Sequence, residues 1–388
     1  MTAESPFLRL PAAVAGAAPD AGVPAHYGGA PLGEQRTLQR GESVVDCSHL
    51  DVVEVGGEDR LSWIDSLTTQ AVAGLAAGGS AENLLLSPQG RIEHAFGMLE
   101  DGASVWLITE AGRGAELAEW FHRMRFMMRV KVTDRSDELF AIATLGEHDL
   151  GAAAPNGTPL VWSDPWCEGV EGAVSYAVAA PESHPSHGFP LRLHLVDAAG
   201  RDELAARVRG GGLEVSGTMA LEALRIAAWR PRQAFEVDER AIPHELDLLR
   251  SAVHLNKGCY RGQETVAKVH NLGHPPRRLA MLDLEGTDGR LPEPGALVHL
   301  ASDPEGRPVG RVTSSTLHFE DGPVSLALLK RTVDPEAELV VALTSQNPLV
   351  EGADAVEGEP VRLAALQTVI VSPESGRTVQ VPRGFRRR

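Results

Sequence analysis

The pair Pro275-Pro276 divides the sequence into two parts with different patterns, and this division constrains the fold more than any other feature. Beyond it, residues 279–370 contain short apolar runs separated by Gly, Pro and Asp turns such as Asp303-Pro304-Glu305-Gly306, and no convincing helical stretch. Short strands at such spacing are typical of a closed barrel or a sandwich. We therefore predict a separate all-β domain at the C-terminal end.

The part before Pro275 has mixed periodicity. Apolar residues recur at helical spacing in 58–73 and 114–125, whereas 83–86 and 91–99 read as two strands of a hairpin and 126–132 as a further strand. A chain of 388 residues is too long for one hydrophobic core. We predict an α+β region in front of the β domain.

Composition gives approximate domain limits. Residues 1–25 are rich in Ala, Pro and Gly, which predicts a disordered leader. The α+β region is expected to span 26–275, with any internal boundary between 135 and 215, and the β domain to span 277–372. Residues 373–388, which end in three arginines, are expected to form a flexible tail.

Charge and cysteine content exclude several classes of protein. A net charge of −17 is unsuited to a general nucleic-acid or anionic-membrane binder, and no apolar run has the length of a membrane span. The N-terminus is also a poor secretory signal. The cysteines Cys47, Cys167 and Cys259 are odd in number and far apart, which argues against a disulfide framework. We expect a cytoplasmic protein.

The run Lys257-Gly258-Cys259-Tyr260-Arg261-Gly262-Gln263-Glu264 is the strongest candidate for a functional segment. It places a thiol between two cations, just before Thr265–Val269, which could form a helix. Cations and a helix N-terminus both favour thiolate, so Cys259 is a candidate reactive thiol; the alternative is a structural cysteine beside a turn. Gly258 is expected to take special backbone angles, and Gly262 to admit a close neighbour.

Basic residues cluster around this thiol. Between Arg250 and Arg278 there are six basic residues and one acid, Glu264. Such a cluster is either a solvated face or a site for a small anionic ligand. His184 and His187 have no acid or cysteine at ligand spacing, so we assign them to a solvated loop and expect no stably bound metal.

The run KGCYRGQE resembles the signature of the YgfZ-type folate-binding proteins, which are relatives of the T-protein (aminomethyltransferase) of the glycine cleavage system. The segments VVDCSHLDVVEVGGEDRLSWIDSLTTQAV, LLLSPQGRIEH, LEALRIAAWRPRQAFEVDERAIPHELDLL and GRVTSSTLH extend the resemblance over about residues 40–330. It implies a GcvT-like α+β region of two interlocked halves and a C-terminal antiparallel β-barrel, arranged around a central channel.

The resemblance also implies a function and its residues. Such proteins bind tetrahydrofolate and support the assembly or repair of iron–sulfur enzymes, so folate and client iron–sulfur proteins would be the partners. Cys259 would be the functional thiol. The other residues of the run would frame it, and His94, Arg225, Trp229, Glu245 and Lys257 are candidate folate contacts.

Two departures from the transferases concern the folate site. His94 stands where the aspartate near the reactive carbon of the folate would be, and Ala227 replaces the acid of the Arg-x-Glu-Ala-Gly run, so it cannot grip a pterin. We therefore do not expect a typical aminomethyltransferase. A folate-dependent one-carbon transferase or demethylase, and a redox sensor that binds no folate, remain as alternatives.

Overall fold

The computed structural model describes residues 4–286, 290–343 and 361–379. The strands are β1 (Ala13–Ala15), β2 (Pro24–Tyr27), β3 (Ser43–Asp46), β4 (Asp51–Gly56), β5 (Ser80–Leu86), β6 (Ile92–Glu100), β7 (Ser104–Thr109), β8 (Lys131–Asp134), β9 (Phe140–Thr144), β10 (Val161–Ser163), β11 (Arg192–Val196), β12 (Glu214–Ser216), β13 (Arg277–Leu284), β14 (Leu297–Leu300), β15 (Gly310–His318), β16 (Gly322–Lys330), β17 (Leu339–Ala342) and β18 (Arg362–Val369).

The α-helices are α1 (Pro31–Gln39), α2 (Arg60–Leu67), α3 (Gly114–Met124), α4 (Ala198–Arg209), α5 (Thr218–Ala227), α6 (Gln233–Glu236) and α7 (Gln263–Leu272). Short 3₁₀ turns occur at Pro6–Arg9, Pro181–Ser183, Pro185–Gly188, Pro243–Leu246 and Leu248–Arg250. No helix in the described ranges is both long and apolar enough to cross a membrane.

Two five-stranded sheets form the α+β region. The first has the order β10-β11-β9-β3-β12 and the second the order β5-β6-β7-β4-β8. The chain leaves the first sheet after β3, completes the second with β4 to β8, and returns to the first at β9. The two halves are thus interlocked, as predicted.

The second sheet is buried on both faces. On one face, Leu117 and Phe121 of α3 pack with Ile64 of α2 against the sheet, because they recur at helical spacing on the same side of their helix. On the other face, Trp106 and Ile108 of β7 share a core with residues of the first sheet. The strand predicted at 126–132 begins only at Lys131, and Phe126 is 91% exposed.

The predicted β domain is a closed antiparallel barrel with the order β13-β16-β15-β14-β17-β18. It closes because β13 pairs with both β16 and β18. Ala280, Leu282, Val312 and Leu329 point into its core, which a run of alternating apolar residues provides. The predicted architecture of an α+β region followed by a β-barrel is therefore confirmed.

The N-terminal residues are ordered from residue 4 onward, so the prediction of a disordered leader is wrong for residues 4–25. Phe7 is fully buried with Val44, Ile142 and Leu204, and β1 pairs with β2. A single aromatic residue that fills a core pocket outweighs the Ala, Pro and Gly content around it. Residues 1–3 lie outside the described residues.

The predicted flexible tail is also wrong in part. The backbone N–H groups of Thr378 and Val379 donate to the carbonyls of His270 and Asn271, at 3.1 Å each, so residues 373–379 lie along α7. Residues 380–388 lie outside the described residues.

Candidate functional site

Cys259 lies in a loop in front of α7, and it is exposed, whereas Cys47 and Cys167 are buried. Helix α7 begins at Gln263, with Gly262 as its N-cap. The helix predicted after the motif is present, but the thiol stands three residues before the cap rather than at the helix N-terminus. Its exposure makes it accessible to another protein or to a small reagent.

Gly262 fixes the loop against the turn that joins β5 to β6. Its φ of +86° lies in the left-handed region, and a β-carbon there would lie 2.6 Å from the carbonyl oxygen of Ser87. Gly90 has a φ of +74°, and a β-carbon on it would lie 2.8 Å from that of Thr265. The close approach predicted at Gly262 is therefore an approach of two backbones.

Gly258 does not have the special geometry predicted for it. It is absent from the positive-φ residues, and a β-carbon at this position would meet no atom of residues 4–286, 290–343 or 361–379 within 4 Å. Its neighbour Tyr260 is 7% exposed and belongs to the largest apolar core. Burial raises the pKa of Tyr260 to about 12, and its hydroxyl has no hydrogen-bond partner among the described residues.

Lys257 is a structural residue rather than a cation beside the thiol. Its ammonium donates to the carbonyls of Asp65, Thr68 (2.9 Å) and Gln70 (2.7 Å), just where α2 ends. Burial lowers the pKa of Lys257, and the carboxylate of Asp65 at 3.4 Å opposes this shift. The donors of Lys257 are thus occupied by one carbonyl of α2 and two carbonyls at and just beyond its C-terminal end, which leaves none for a folate.

The rest of the motif is divided between packing and surface contacts. Arg261 pairs with Glu93 at 2.6 Å and lies over the ring of Trp120. Gln263 donates to the carbonyl of Lys257 at 3.3 Å, and Glu264 is exposed.

The six basic residues do not form one cationic patch, because different partners separate them. Arg250 contacts His184 and Ser186, Arg277 pairs with Glu245 and Asp238, and the fully buried Arg278 donates to Gln367 at 2.6 Å. Only Lys268 among the six is exposed with no partner among the described residues. The anion site considered from the charge pattern is therefore not formed.

The candidate folate contacts fall in different places. Of His94, Arg225, Trp229 and Glu245, only Arg225 lines the large cavity described below. Trp229 packs against the largest core, with its indole N–H 3.3 Å from the sulfur of Met281, and Glu245 is fully buried against Arg277.

His94 is 3% exposed, and burial, followed by the charge of Arg113, lowers its pKa to about 4. Side chains alternate along a strand, so His94 lies on the face of β6 opposite Ala95 and Gly97. These two residues line the cavity and His94 does not.

A large cavity lies between the two sheets and α5. The space between its side chains, including the open mouth, is about 900 Å³. One side is apolar, with Leu50, Ile108, Trp162 and Phe189 among its residues. The indole of Trp162 can pack closely on β6 because Gly97 has no side chain. A β-carbon at residue 97 would lie 2.7 Å from that indole. Cys259 is not among the lining residues.

The other side of the cavity carries buried ion pairs. Its lining includes five carboxylates against three arginines; these residues are Asp20, Glu82, Glu110, Asp164, Glu222, Arg225, Arg230 and Arg232. Arg232 joins Asp20 (2.7 Å), Glu110 (2.9 Å) and Glu222 (2.9 Å). Arg230 joins Glu82 at 2.6 Å and Asp164 at 2.9 Å. The ion pairs hold the polar side chains in fixed positions around the space.

Burial and ion pairing shift the pKa values of the cavity carboxyl groups in opposite directions. Burial alone would raise the pKa of Asp20, but a hydrogen bond from His49 and the charge of Arg232 outweigh it, so the pKa falls well below its usual range. Burial raises the pKa of Glu82 despite the opposing charge of Arg230. The cavity thus holds at least one firmly ionised carboxylate and one that protonates more readily.

Sequence reasoning missed most of this lining, including Asp20, His49, Arg230 and Arg232. Asp20 falls in the segment taken for a leader, and His49 follows Cys47 in an ordinary turn. The one usable signal was the spacing of Arg230 and Arg232 in the run AWRPRQAFE, where arginines stand beside apolar residues.

Residues 18–148 match the GCVT N-terminal domain. The chain is 26% identical to an aminomethyltransferase of Symbiobacterium thermophilum over 326 residues, 79% of this chain and 84% of that one. It is 27% identical to a chloroplastic transferase-like protein of Arabidopsis thaliana over 72% of this chain, and this match spans only 63% of the plant protein. The chain therefore has a GCVT N-terminal domain and aminomethyltransferase-like homologues.

A further match is narrower. The tRNA-modifying protein YgfZ of Escherichia coli is 30% identical over 156 residues, which cover 40% of this chain and 46% of that protein. In fold, the chain resembles the glycine cleavage system aminomethyltransferase T of Bartonella henselae, with a TM-score of 0.68 over 93% of each chain at 18% identity. The fold is thus GcvT-like.

Proposed function

We propose that this protein binds tetrahydrofolate, or a derivative of it, in the cavity between the two sheets, and supports the assembly or repair of iron–sulfur enzymes through Cys259. The observation that carries the proposal is the cavity itself, apolar on one side and fixed by ion pairs on the other. Much of its lining, from Asp20 to Glu110, belongs to the segment that matches the GCVT N-terminal domain.

The chemistry of the lining suits a flat ring with hydrogen-bond donors along one edge. A pterin presents such an edge to carboxylates and stacks its faces on apolar side chains. Ala227 supplies no carboxylate, but Glu82, Glu110, Asp164 and Glu222 line the cavity. Since acids outnumber arginines there, we expect the anionic glutamate tail of a folate to point out of the mouth.

Cys259 would act outside the cavity, on another protein. One thiol cannot hold an ordinary iron–sulfur cluster, which needs four thiolates or close substitutes. An exposed thiol on an ordered loop is suited to a transient contact with a cluster or with a cysteine of a client protein. Three unpaired cysteines support the further proposal that the protein works in a reducing compartment such as the cytoplasm.

The folate half of the proposal can be tested by calorimetry with tetrahydrofolate under anaerobic conditions. Leu50→Trp places a large ring in the cavity, whereas Leu297→Trp makes the same change on the outside of the barrel, where Leu297 is 43% exposed. We expect Leu50→Trp to weaken binding at least about tenfold, which corresponds to about 1.4 kcal/mol, and Leu297→Trp to bind like the wild type. Equal binding by both variants would exclude this cavity as the folate site.

The thiol half requires a cellular assay. In cells that lack the wild-type protein, Cys259→Ser is expected to leave iron–sulfur enzyme activities low. Gly258→Ala, at the adjacent open position, is expected to restore them. Full activity with Cys259→Ser would remove the thiol from the mechanism while leaving folate binding in place.

A folate-dependent one-carbon transferase is the second candidate, because the aminomethyltransferase of Symbiobacterium thermophilum aligns with 79% of this chain. The residues on the cavity side of β6 do not favour this transferase function. There Ala95 and Gly97 carry no acid or base, and Glu93 pairs with Arg261. Turnover of a methyl or aminomethyl donor with tetrahydrofolate by the purified protein would favour the transferase. An intact protein that takes up no folate would favour a redox sensor.

A further inference from the structure

Two loops that are distant in sequence bring three metal-ligating side chains together outside the cavity. Cys167 and Glu168 follow β10, and His187 lies in the 3₁₀ turn Pro185–Gly188. One ligand atom from each residue lies within 4.8 Å of the other two. The sequence has no acid or cysteine at ligand spacing from His187, and we assigned this histidine to a solvated loop; the contact arises because the fold brings residues 167–168 beside it.

We propose that Cys167, Glu168 and His187 form a binding site for a divalent transition-metal ion, with Zn²⁺ as the best match. A thiolate, an imidazole and a carboxylate are the three side chains that Zn²⁺ binds in proteins. Three protein ligands leave a fourth position open to water or to another ligand. Glu168 and His187 are exposed, so an ion can reach the site from solvent.

The surroundings hold the two loops in register. The hydroxyl of Ser186 donates to the carbonyl of Cys167 at 2.9 Å and accepts from Arg250 at 3.3 Å. Ser186 is fully buried, and His184 beside it is 3% exposed and also contacts Arg250. His187 is thus attached to a rigid part of the molecule, and its distance to Cys167 does not depend on a free loop.

His187 also has the partner that a metal-binding histidine requires. Its Nε2 lies 2.8 Å from the carbonyl oxygen of Pro181, which accepts only if that nitrogen carries the proton. Such a bond fixes the tautomer and leaves Nδ1 with a lone pair for a metal. This contact is independent of the proximity of the three side chains.

To bind a metal ion, the three ligand atoms need to move only slightly closer together. For bonds of about 2.0–2.3 Å, tetrahedral ligand atoms are about 3.3–3.8 Å apart, which is about 1–1.5 Å less than the present limit of 4.8 Å. Rotation of the exposed Glu168 side chain, with small adjustments of the loops that keep the His187–Pro181 hydrogen bond, can supply that difference. On binding, a metal–sulfur bond replaces the S–H bond of Cys167, and the proton passes to solvent.

The structure also offers an explanation without metal for the closeness of Cys167 and Glu168. The sulfur of Cys167 lies 3.8 Å from Oε1 of Glu168, as a thiol that donates weakly to a carboxylate would. Burial, followed by the charge of Glu168, raises the pKa of the Cys167 thiol to about 11. A thiol without metal would therefore remain protonated and unreactive, unlike one that a bound cation converts to thiolate.

The proposal can be tested with full-length protein purified without a histidine tag and stripped with a chelator. Addition of Co²⁺ is expected to produce one sulfur-to-cobalt charge-transfer band per chain, and Zn²⁺ should displace it. Cys167→Ser should abolish the band, and His187→Ala should weaken Zn²⁺ binding by about 100-fold or more, since loss of an outer-shell partner alone costs about 10- to 100-fold. Cys259→Ser and His122→Ala, which change an exposed cysteine and an exposed histidine elsewhere, should bind like the wild type.

Three results would overturn the site. They are no stoichiometric band in the wild type, a band that persists in Cys167→Ser, and a band lost in Cys259→Ser instead. Glu168→Gln and His187→Ala change exposed residues and should fold, so a failure of Cys167→Ser to fold would not prevent the test. Folate binding is measured separately, so failure here leaves the proposed function untouched.

Discussion

Substitution of Gly262 by alanine is the sharpest test of how the Cys259 loop is held. At a φ of +86°, any residue with a β-carbon is strained, and such a conformation costs about 1–2 kcal/mol. The new β-carbon would also lie 2.6 Å from the carbonyl of Ser87 and 3.0 Å from the β-carbon of Leu86. Overpacking of this kind costs about 1–3 kcal/mol. We therefore expect Gly262→Ala to lower the free energy of unfolding by about 2–5 kcal/mol.

The assay is urea unfolding followed by tryptophan fluorescence. All six tryptophans lie between residues 63 and 229, so the signal reports the α+β region, together with the contact that Trp229 makes with Met281 of the barrel. Gly258→Ala is the matched control, because a β-carbon four residues earlier meets nothing within 4 Å in the part of the chain that the structure describes. It should change the free energy of unfolding by less than about 0.5 kcal/mol. If Gly262→Ala were as stable as this control, the contact between the loop and the β5–β6 turn would be wrong.

Three further predictions concern buried charges. Lys257→Met should lower the free energy of unfolding by about 2–3 kcal/mol, because it removes hydrogen bonds to carbonyls at the end of α2 and just beyond it. The alkylation rate of Cys259 should stay unchanged. Slower alkylation at unchanged stability would contradict this structural role. Burial raises the pKa of Asp247 from 3.8 to about 6, so its protonated form is favoured in the folded state and stability is lost as the pH rises from 4 to 7. Relative to Asp247→Asn, the wild type should lose about 2–3 kcal/mol over that range in urea unfolding, and parallel curves would refute the shift. Arg277→Met leaves the fully buried Glu245 unpaired and should lower the free energy of unfolding by about 3–5 kcal/mol. Adding Glu245→Leu should recover part of this loss. If the losses of the two single variants simply added in the double variant, the pairing would be contradicted.

The fold could be predicted from the sequence where the local pattern of apolar and turn residues decides the structure. Short apolar runs after Pro275-Pro276 predicted the barrel, and the apolar spacing of 114–125 predicted α3. Prediction failed at the leader, where Phe7 alone determines order by filling a core pocket. It also failed at 126–132, where an apolar run lies exposed because Lys131 is the first residue that pairs with β4.

The candidate site was less accessible to sequence reasoning. The motif correctly indicated an exposed thiol and a crowded Gly262, but the ammonium of Lys257 binds carbonyls at and beyond the end of α2 rather than lying beside the thiol. The cavity depends on contacts between residues as far apart as Asp20 and Arg232. No local spacing shows such pairs, because only the interlocking of the two sheets brings them together.

The most direct test of the folate proposal is a crystal structure of this protein soaked with a reduced folate. We expect electron density for the pterin ring between Ala95 and Gly97 on one side and Arg225 on the other, with the glutamate tail leaving through the mouth. Density for the ring beside Cys259 or against the barrel, with the cavity between the sheets filled only by water, would contradict it.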